Sequence, residues 1–109
     1  MKRFCLALDL IDDPELIAEY EKYHQNVWPE VKQSILNSGI VNMEIYRVQN
    51  RLFMMVEADE NFSFEAKNEA DKNNPKVQEW EQLMWKFQQQ LPHSKAEEKW
   101  KLMDKIFSL

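Results

Sequence analysis

Tyr20 and His24 are the two residues of this sequence whose types and spacing best suit chemistry. They lie four residues apart in a segment with helical periodicity, so their side chains share one helix face, with Cβ atoms roughly 6 Å apart. His24 falls on the inward stripe of that helix. Because an imidazole exchanges protons near neutral pH, a histidine beside a phenol is a candidate general acid or base. The run Trp28-Pro29-Glu30 follows at once.

Each candidate also has a simpler structural interpretation. Tyr20 would serve equally as an aromatic residue at the edge of the core, and His24 as a helix histidine with satisfied hydrogen bonds. Trp80, in a later helical segment, would be an ordinary core side chain. A tryptophan ring in a small pocket is also a good platform for the C–H face of a sugar. Spacing alone leaves these alternatives open.

Composition argues against several other chemistries. The single glycine, Gly39, cannot form a phosphate-binding loop, and two histidines with one cysteine, Cys5, give no zinc site of ordinary spacing. No serine lies in a Gly-x-Ser-x-Gly motif. Cys5 is expected to be a small buried thiol in a strand. We therefore expect proton-transfer chemistry, without a metal, a nucleotide-binding loop or a covalent nucleophile.

Length and charge limit the class of protein. The 109 residues suit a single domain over 1–109 with one core. The net charge of −5, from 14 basic and 19 acidic residues, argues against a nucleic-acid surface. No apolar run approaches the roughly 20 residues of a membrane helix, and Asp9 interrupts the apolar N-terminal stretch before it reaches signal-peptide length. The expected location is the cytoplasm, with no membrane partner.

Periodicity and capping residues predict the elements that must position these side chains. Alternating apolar residues predict a strand at 3–10, and another at 98–108 unless a short final helix forms there. Residues 40–48 and the nearly all-apolar residues 51–58 are predicted to be two strands joined by a tight turn. Prolines and capping residues start helices at Pro14, Pro29 and Pro75, while Gly39 marks a helix end. These helices are predicted to run to about Asn26, to near Ser38 and to Pro92, with a weaker helix over 62–71.

The predicted order of elements is strand, broken helix, strand, strand, helix, strand. This order is typical of an α+β, ferredoxin-like two-layer sandwich. Such a sheet carries helices on one face only, so its other face needs a cover. A homodimer formed by stacking two sheets, a dimeric α/β barrel, would supply that cover.

The sequence resembles the L-rhamnose mutarotase family over nearly its whole length. The resemblance rests on the opening strand and on a series of motifs: Tyr20-x-x-x-His24, Trp28-Pro29-Glu30, Gly39, Asn42, Ile45-Tyr46, Asn50, Leu52-Phe53, Met55-Val56-Glu57, and Trp80 with Met84. Members of that family are small cytosolic homodimers that interconvert the α and β anomers of a free sugar without a cofactor. The resemblance implies that His24 is the catalytic acid/base and that Tyr20 and Trp80 hold the monosaccharide.

Two residues depart from the family's pattern. Met43 stands where the family often has a tyrosine, and Glu81 where it often has a second tryptophan. Both would fall in the sugar pocket, so L-fucose or another neutral or 6-deoxy aldose is as plausible a substrate as L-rhamnose. Two alternatives stay open: a cofactor-independent monooxygenase on the same architecture, and a sugar-binding relative without catalysis.

Overall fold

The computed structural model describes residues 1–109 and is built on one antiparallel sheet. Strand β1 (Lys2–Leu10) pairs with β3 (Arg51–Ala58), which pairs in turn with β2 (Ile40–Val48). Gln49, in the tight turn between β2 and β3, has a φ of 52°. All three strands match their predicted bounds to within one residue.

The two helices that follow β1 start where their capping signals predicted. Helix α1 (Pro14–His24) is capped by the Asp13 carboxylate, which accepts two backbone N–H groups of the first turn. Helix α2 (Pro29–Asn37) is followed by Gly39 at a φ of 101°. A Cβ at Gly39 would also lie 2.9 Å from the Asp59 carboxylate. Only glycine combines that backbone with that close approach.

Two further helices follow, α3 (Phe64–Lys72) and α4 (Pro75–Trp85), and α4 packs on both α2 and α3. Asp71, near the end of α3, is 6% exposed and accepts from Ser34 Oγ at 3.1 Å and from Lys67 Nζ at 2.6 Å. Since Ser34 belongs to α2, this buried carboxylate ties α3 to α2.

The prediction that the last helix runs to Pro92 was wrong, because α4 ends at Trp85. The chain then forms a short strand, β4 (Gln88–Gln89), that pairs with Leu10 and Asp9 at the end of β1. The backbone N–H of Ile11 donates to the Phe87 carbonyl at 2.8 Å. Pairing with β1 therefore overrides helical propensity here.

The prediction of a strand over 98–108 was also too long. Only β5 (Lys101–Leu102) pairs with β1, and the last contact to it is the Met103 N–H, which donates to the Cys5 carbonyl at 2.7 Å. No final helix forms. The remaining residues, here called the C-terminal arm (103–109), lie outside the sheet. Ile106 and Phe107 of the arm are 95% and 75% exposed.

The strand order β2-β3-β1-β4, with four helices packed on the sheet, confirms the ferredoxin-like two-layer sandwich. The core lies between the helices and one sheet face, which carries the buried alternate residues of β1 and β3: Leu6, Leu8, Leu10, Leu52, Met54, Val56 and Ala58. The opposite sheet face, the outer face, includes Cys5, which is half-buried rather than buried as predicted. None of the helices has the length and apolar character to span a bilayer.

Candidate active site

The end of α1 brings Tyr20 and His24 together on the side that faces the core. The Tyr20 side chain is 3% exposed and His24 is half-buried. Their ring centroids are 4.4 Å apart with planes tilted by 38°. The i, i+4 spacing on an amphipathic helix thus produces the phenol–imidazole contact that the sequence predicted.

The hydrogen bonds of His24 define which ring nitrogen can react. Nδ1 lies 2.9 Å from the backbone carbonyl oxygen of Tyr20. A carbonyl oxygen only accepts, so Nδ1 must carry the hydrogen in the neutral ring. Nε2 is then the nitrogen with the free lone pair, and no protein group hydrogen-bonds to it. One helix turn therefore fixes the tautomer and leaves Nε2 available for a ligand.

Trp80, on α4, also contacts the imidazole. Its ring centroid is 5.6 Å from that of His24, at an interplanar angle of 68°, and its side chain is 7% exposed. Trp28 packs edge-on to Trp80 at 5.2 Å, and Tyr23 does so at 6.3 Å. His24 is therefore held between Tyr20 and Trp80 in a cluster of aromatic rings.

Gln88 is a site residue that the sequence analysis missed. Its Nε2 donates to the Tyr20 hydroxyl oxygen at 3.3 Å, and the residue is 9% exposed. Burial raises the pKa of the Tyr20 phenol, while the hydrogen bond from Gln88 offsets part of that rise. The phenol therefore stays protonated at neutral pH. A glutamine carries no periodic signal, and this one lay inside a segment predicted as helix.

The two residues that depart from the family pattern lie in different surroundings. Met43 packs on the part of the core formed by Leu6, Met54 and their neighbours rather than on the cluster that contains Tyr20 and Trp80. Glu81 is half-buried on α4, and its carboxylate accepts from Gln78 at 3.5 Å.

Two open surface grooves lie away from the aromatic cluster. One runs between the starts of α2 and α4, and the other between α1 and the β2–β3 turn. Neither is lined by Tyr20, His24 or Trp80. We place the candidate site at the aromatic cluster because only there does an unpaired imidazole nitrogen lie beside other rings and a phenol.

The geometry of this cluster suits proton transfer to a small polar ligand. Nε2 of neutral His24 can accept a proton and return it, and the protonated Tyr20 phenol can donate a hydrogen bond. Aromatic rings on both sides of the imidazole supply apolar surface at little entropic cost. Such a combination fits a compact molecule that has both hydroxyl groups and a C–H face.

Comparison with known proteins finds sugar mutarotases among the relatives of this chain. An L-fucose mutarotase of Xanthomonas campestris pv. campestris is 45% identical over 111 residues, covering 100% of this chain and 89% of that protein. The crystal structure of an L-rhamnose mutarotase from Formosa agariphila superimposes with a TM-score of 0.72 at 20% identity, covering 100% and 99% of the two chains. Tetracenomycin F2 cyclase from Streptomyces glaucescens, at 16% identity and a TM-score of 0.63 over 100% and 97% of the chains, shares the fold.

The family model for L-rhamnose mutarotase matches residues 3–109, which is nearly the whole chain. The matched region includes every residue of the aromatic cluster. The chain therefore belongs to the L-rhamnose mutarotase family and is an isomerase of the mutarotase type.

Proposed function

We propose that this protein interconverts the α and β anomers of a deoxy-aldose such as L-rhamnose or L-fucose, in the cytoplasm and without a cofactor. The observation that carries the proposal is the half-buried His24, whose Nδ1 is bound to the Tyr20 carbonyl, whose Nε2 has no protein partner, and whose ring contacts Tyr20 and Trp80. Mutarotation requires proton transfers only, and an imidazole with one free nitrogen can perform them.

The proposed reaction opens the cyclic hemiacetal and closes it on the other face. In opening, a base removes the proton of the anomeric hydroxyl, the bond between the anomeric carbon and the ring oxygen breaks, and the ring oxygen gains a proton. The resulting aldehyde rotates, and the reverse steps form the other anomer. His24 Nε2 is the atom that takes up and returns a proton in this cycle. Such a positioned acid/base contributes roughly 10²–10⁴-fold to rate.

Tyr20 and Trp80 are the proposed sugar-binding residues. Trp80 offers its ring to the C–H face of the sugar, because aromatic and apolar C–H surfaces pack well together. Tyr20 supports the imidazole through its backbone carbonyl and its ring, and its phenol, which accepts from Gln88, keeps its own hydrogen for a hydroxyl of the sugar. Together they would hold the anomeric centre against His24.

The proposal also concerns which sugar is the substrate. The relative at 45% identity is an L-fucose mutarotase, whereas the family model is that of L-rhamnose mutarotase. These two 6-deoxy sugars differ in the configuration of their hydroxyl groups, which a site with fixed polar partners discriminates. We therefore include both sugars, with neutral aldoses as comparisons.

Saturation-transfer NMR between the two anomeric proton signals tests the proposal directly. Catalysed exchange should appear for at least one of L-fucose and L-rhamnose, at protein concentrations far below that of the sugar. A sugar that binds but exchanges at its uncatalysed rate would support the non-catalytic alternative. Absence of both binding and exchange, with no sugar effect on melting temperature, would favour the monooxygenase-like alternative.

We further propose a homodimer in which the outer faces of two sheets stack. The middle of the outer face is largely apolar. It includes Ala7, Phe53 and Tyr46, which lie side by side across β1, β3 and β2, and the neighbouring Met55. The bidentate Asp9–Arg51 ion pair lies at one end of this band and the Arg3–Glu57 pair at the other end. An apolar band between charged ends suits contact with a second copy of itself. Exposed apolar surface of this kind marks interaction sites.

Sedimentation or light scattering should give twice the mass of one chain. Replacing Phe53 with glutamate should shift the protein to monomer, because a carboxylate would then be buried without a partner. Leu36→Glu is the matched control, since Leu36 is 59% exposed on α2 and lies off the outer face. A monomeric wild-type protein, or a dimer unaffected by Phe53→Glu, would exclude this arrangement.

A further inference from the structure

The contact between Tyr20 and Gln88 leaves two polar groups without a protein partner. The Gln88 amide nitrogen donates to the phenol oxygen, so the hydrogen of that phenol is not used in the contact. The Gln88 amide oxygen accepts from no protein group and is not sealed from solvent. A donor and an acceptor are thus left side by side in residues that are only 3% and 9% exposed.

Polar groups of largely buried residues are nearly always paired with protein, water or a ligand. Because the amide oxygen can still be reached from solvent, a ligand hydroxyl can take the place of water there. A hydroxyl group is both a donor and an acceptor, and it satisfies both at once. It can accept from the phenol and donate to the amide oxygen.

We propose that Tyr20 and Gln88 together bind one hydroxyl group of the sugar and that Gln88 is a specificity-determining residue. This inference rests on the proposed function and adds to it the recognition of a particular hydroxyl. The bound hydroxyl lies close to the reacting centre, because the Tyr20 and His24 rings are in contact. The amide–phenol hydrogen bond also fixes the direction of the phenol, so hydroxyl binding orients the sugar toward Nε2 of His24.

The test compares wild-type protein with Gln88→Met, using L-fucose and its monodeoxy analogues that lack the hydroxyl at C2, C3 or C4. Gln88→Met keeps a side chain of similar length and removes both polar atoms. We expect it to lower kcat/KM for L-fucose by about 10-fold, as for the loss of one or two hydrogen bonds. For one analogue alone, the wild type and the variant should react equally, because the hydroxyl that Gln88 binds is already missing.

A purely structural role of Gln88 would lower activity on every analogue by the same factor, and that result would overturn the inference. Tyr20→Phe gives a second measurement should Gln88→Met fold poorly. Its kcat/KM should no longer depend on whether that hydroxyl is present. Gln82→Met, on the exposed side of α4, is the control and should behave as wild type.

The same panel separates failure of this inference from failure of the proposed function. If no sugar shows catalysed exchange, the proposed function fails, and equilibrium binding of the panel then decides on Gln88. Binding that weakens for one analogue in the wild type, but not in Gln88→Met, supports the hydroxyl site. An equal response of both proteins to all analogues, or no binding at all, overturns it.

Discussion

Replacing His24 with alanine is expected to reduce catalysed anomer exchange by roughly 10²–10⁴-fold, which is the range that a positioned acid/base contributes. The physical reason is that Nε2 is the ring nitrogen without a protein partner, on an imidazole that contacts both Tyr20 and Trp80. Saturation-transfer NMR at saturating sugar measures the loss. Since His24 is only half-buried, the variant should remain folded and keep the oligomeric state of the wild type.

The matched control is His93→Ala, because His93 is the other histidine of the chain and lies exposed in the loop after α4. It should exchange anomers at the wild-type rate. Near-normal exchange in a folded His24→Ala protein would remove this imidazole from the mechanism and return the residue to a structural role.

Removing the buried Asp71 carboxylate should be the most damaging change to stability away from the site. Asp71→Ala leaves the Lys67 ammonium, whose side chain is 17% exposed, without its partner, and Ser34 without its acceptor. Breaking a buried pair from one side costs roughly 3 kcal/mol. For a domain of this size the midpoint of thermal unfolding should fall by about 10 °C or more.

The Lys76–Glu79 pair on α4 offers a comparison, because both side chains are more than half exposed. Glu79→Ala should leave the midpoint nearly unchanged, since exposed ion pairs contribute little. A Lys67→Met, Asp71→Leu double variant should recover part of the loss, because no unpaired charge remains. Equal effects at Asp71 and Glu79 would show that the buried Asp71 carboxylate does not link α3 to α2.

The parts of the fold that the sequence predicted are those set by local signals. Alternation defined β1, a nearly continuous apolar run defined β3, and Asp13, Pro14 and Pro29 defined the starts of α1 and α2. Each of these signals acts within a few residues, and the tertiary contacts of the folded chain favour the same structure. Gly39 is the clearest case. Its φ of 101° is a conformation that glycine adopts readily and other residues rarely do, so the residue type alone indicates the helix end.

The errors lie where distant pairing decides the structure. Phe87 fits the helical repeat of α4, yet the chain leaves the helix to pair with the end of β1. Residues 98–108 alternate like a strand, but only β5 pairs. Strand β4 occupies the edge of β1 at Asp9 and Leu10, where residues 98–99 would lie, and after Met103 the chain leaves that edge. Neither outcome can be derived from the local pattern, which does not say how much of a strand edge is free.

In the candidate site, too, local signals place some residues and distant strand pairing places another. The i, i+4 rule placed Tyr20 against His24, and the proximity of Trp80 followed from packing α4 on α1. Gln88 comes into the site only because β4 forms, so no analysis that extended α4 to Pro92 could have found it. The residue that we propose to set specificity is therefore the one that depends most on non-local structure.

The reactivity of Cys5 can report on whether the outer face is covered. It is the only thiol of the chain, and it lies half-buried in the middle of the outer face, opposite Met55. A thiol reagent therefore reports on this one surface without any engineered residue. If the proposed homodimer forms, labelling should be slow while the two sheets are stacked and should accelerate on dilution. The rate of modification would then measure how long two chains stay together.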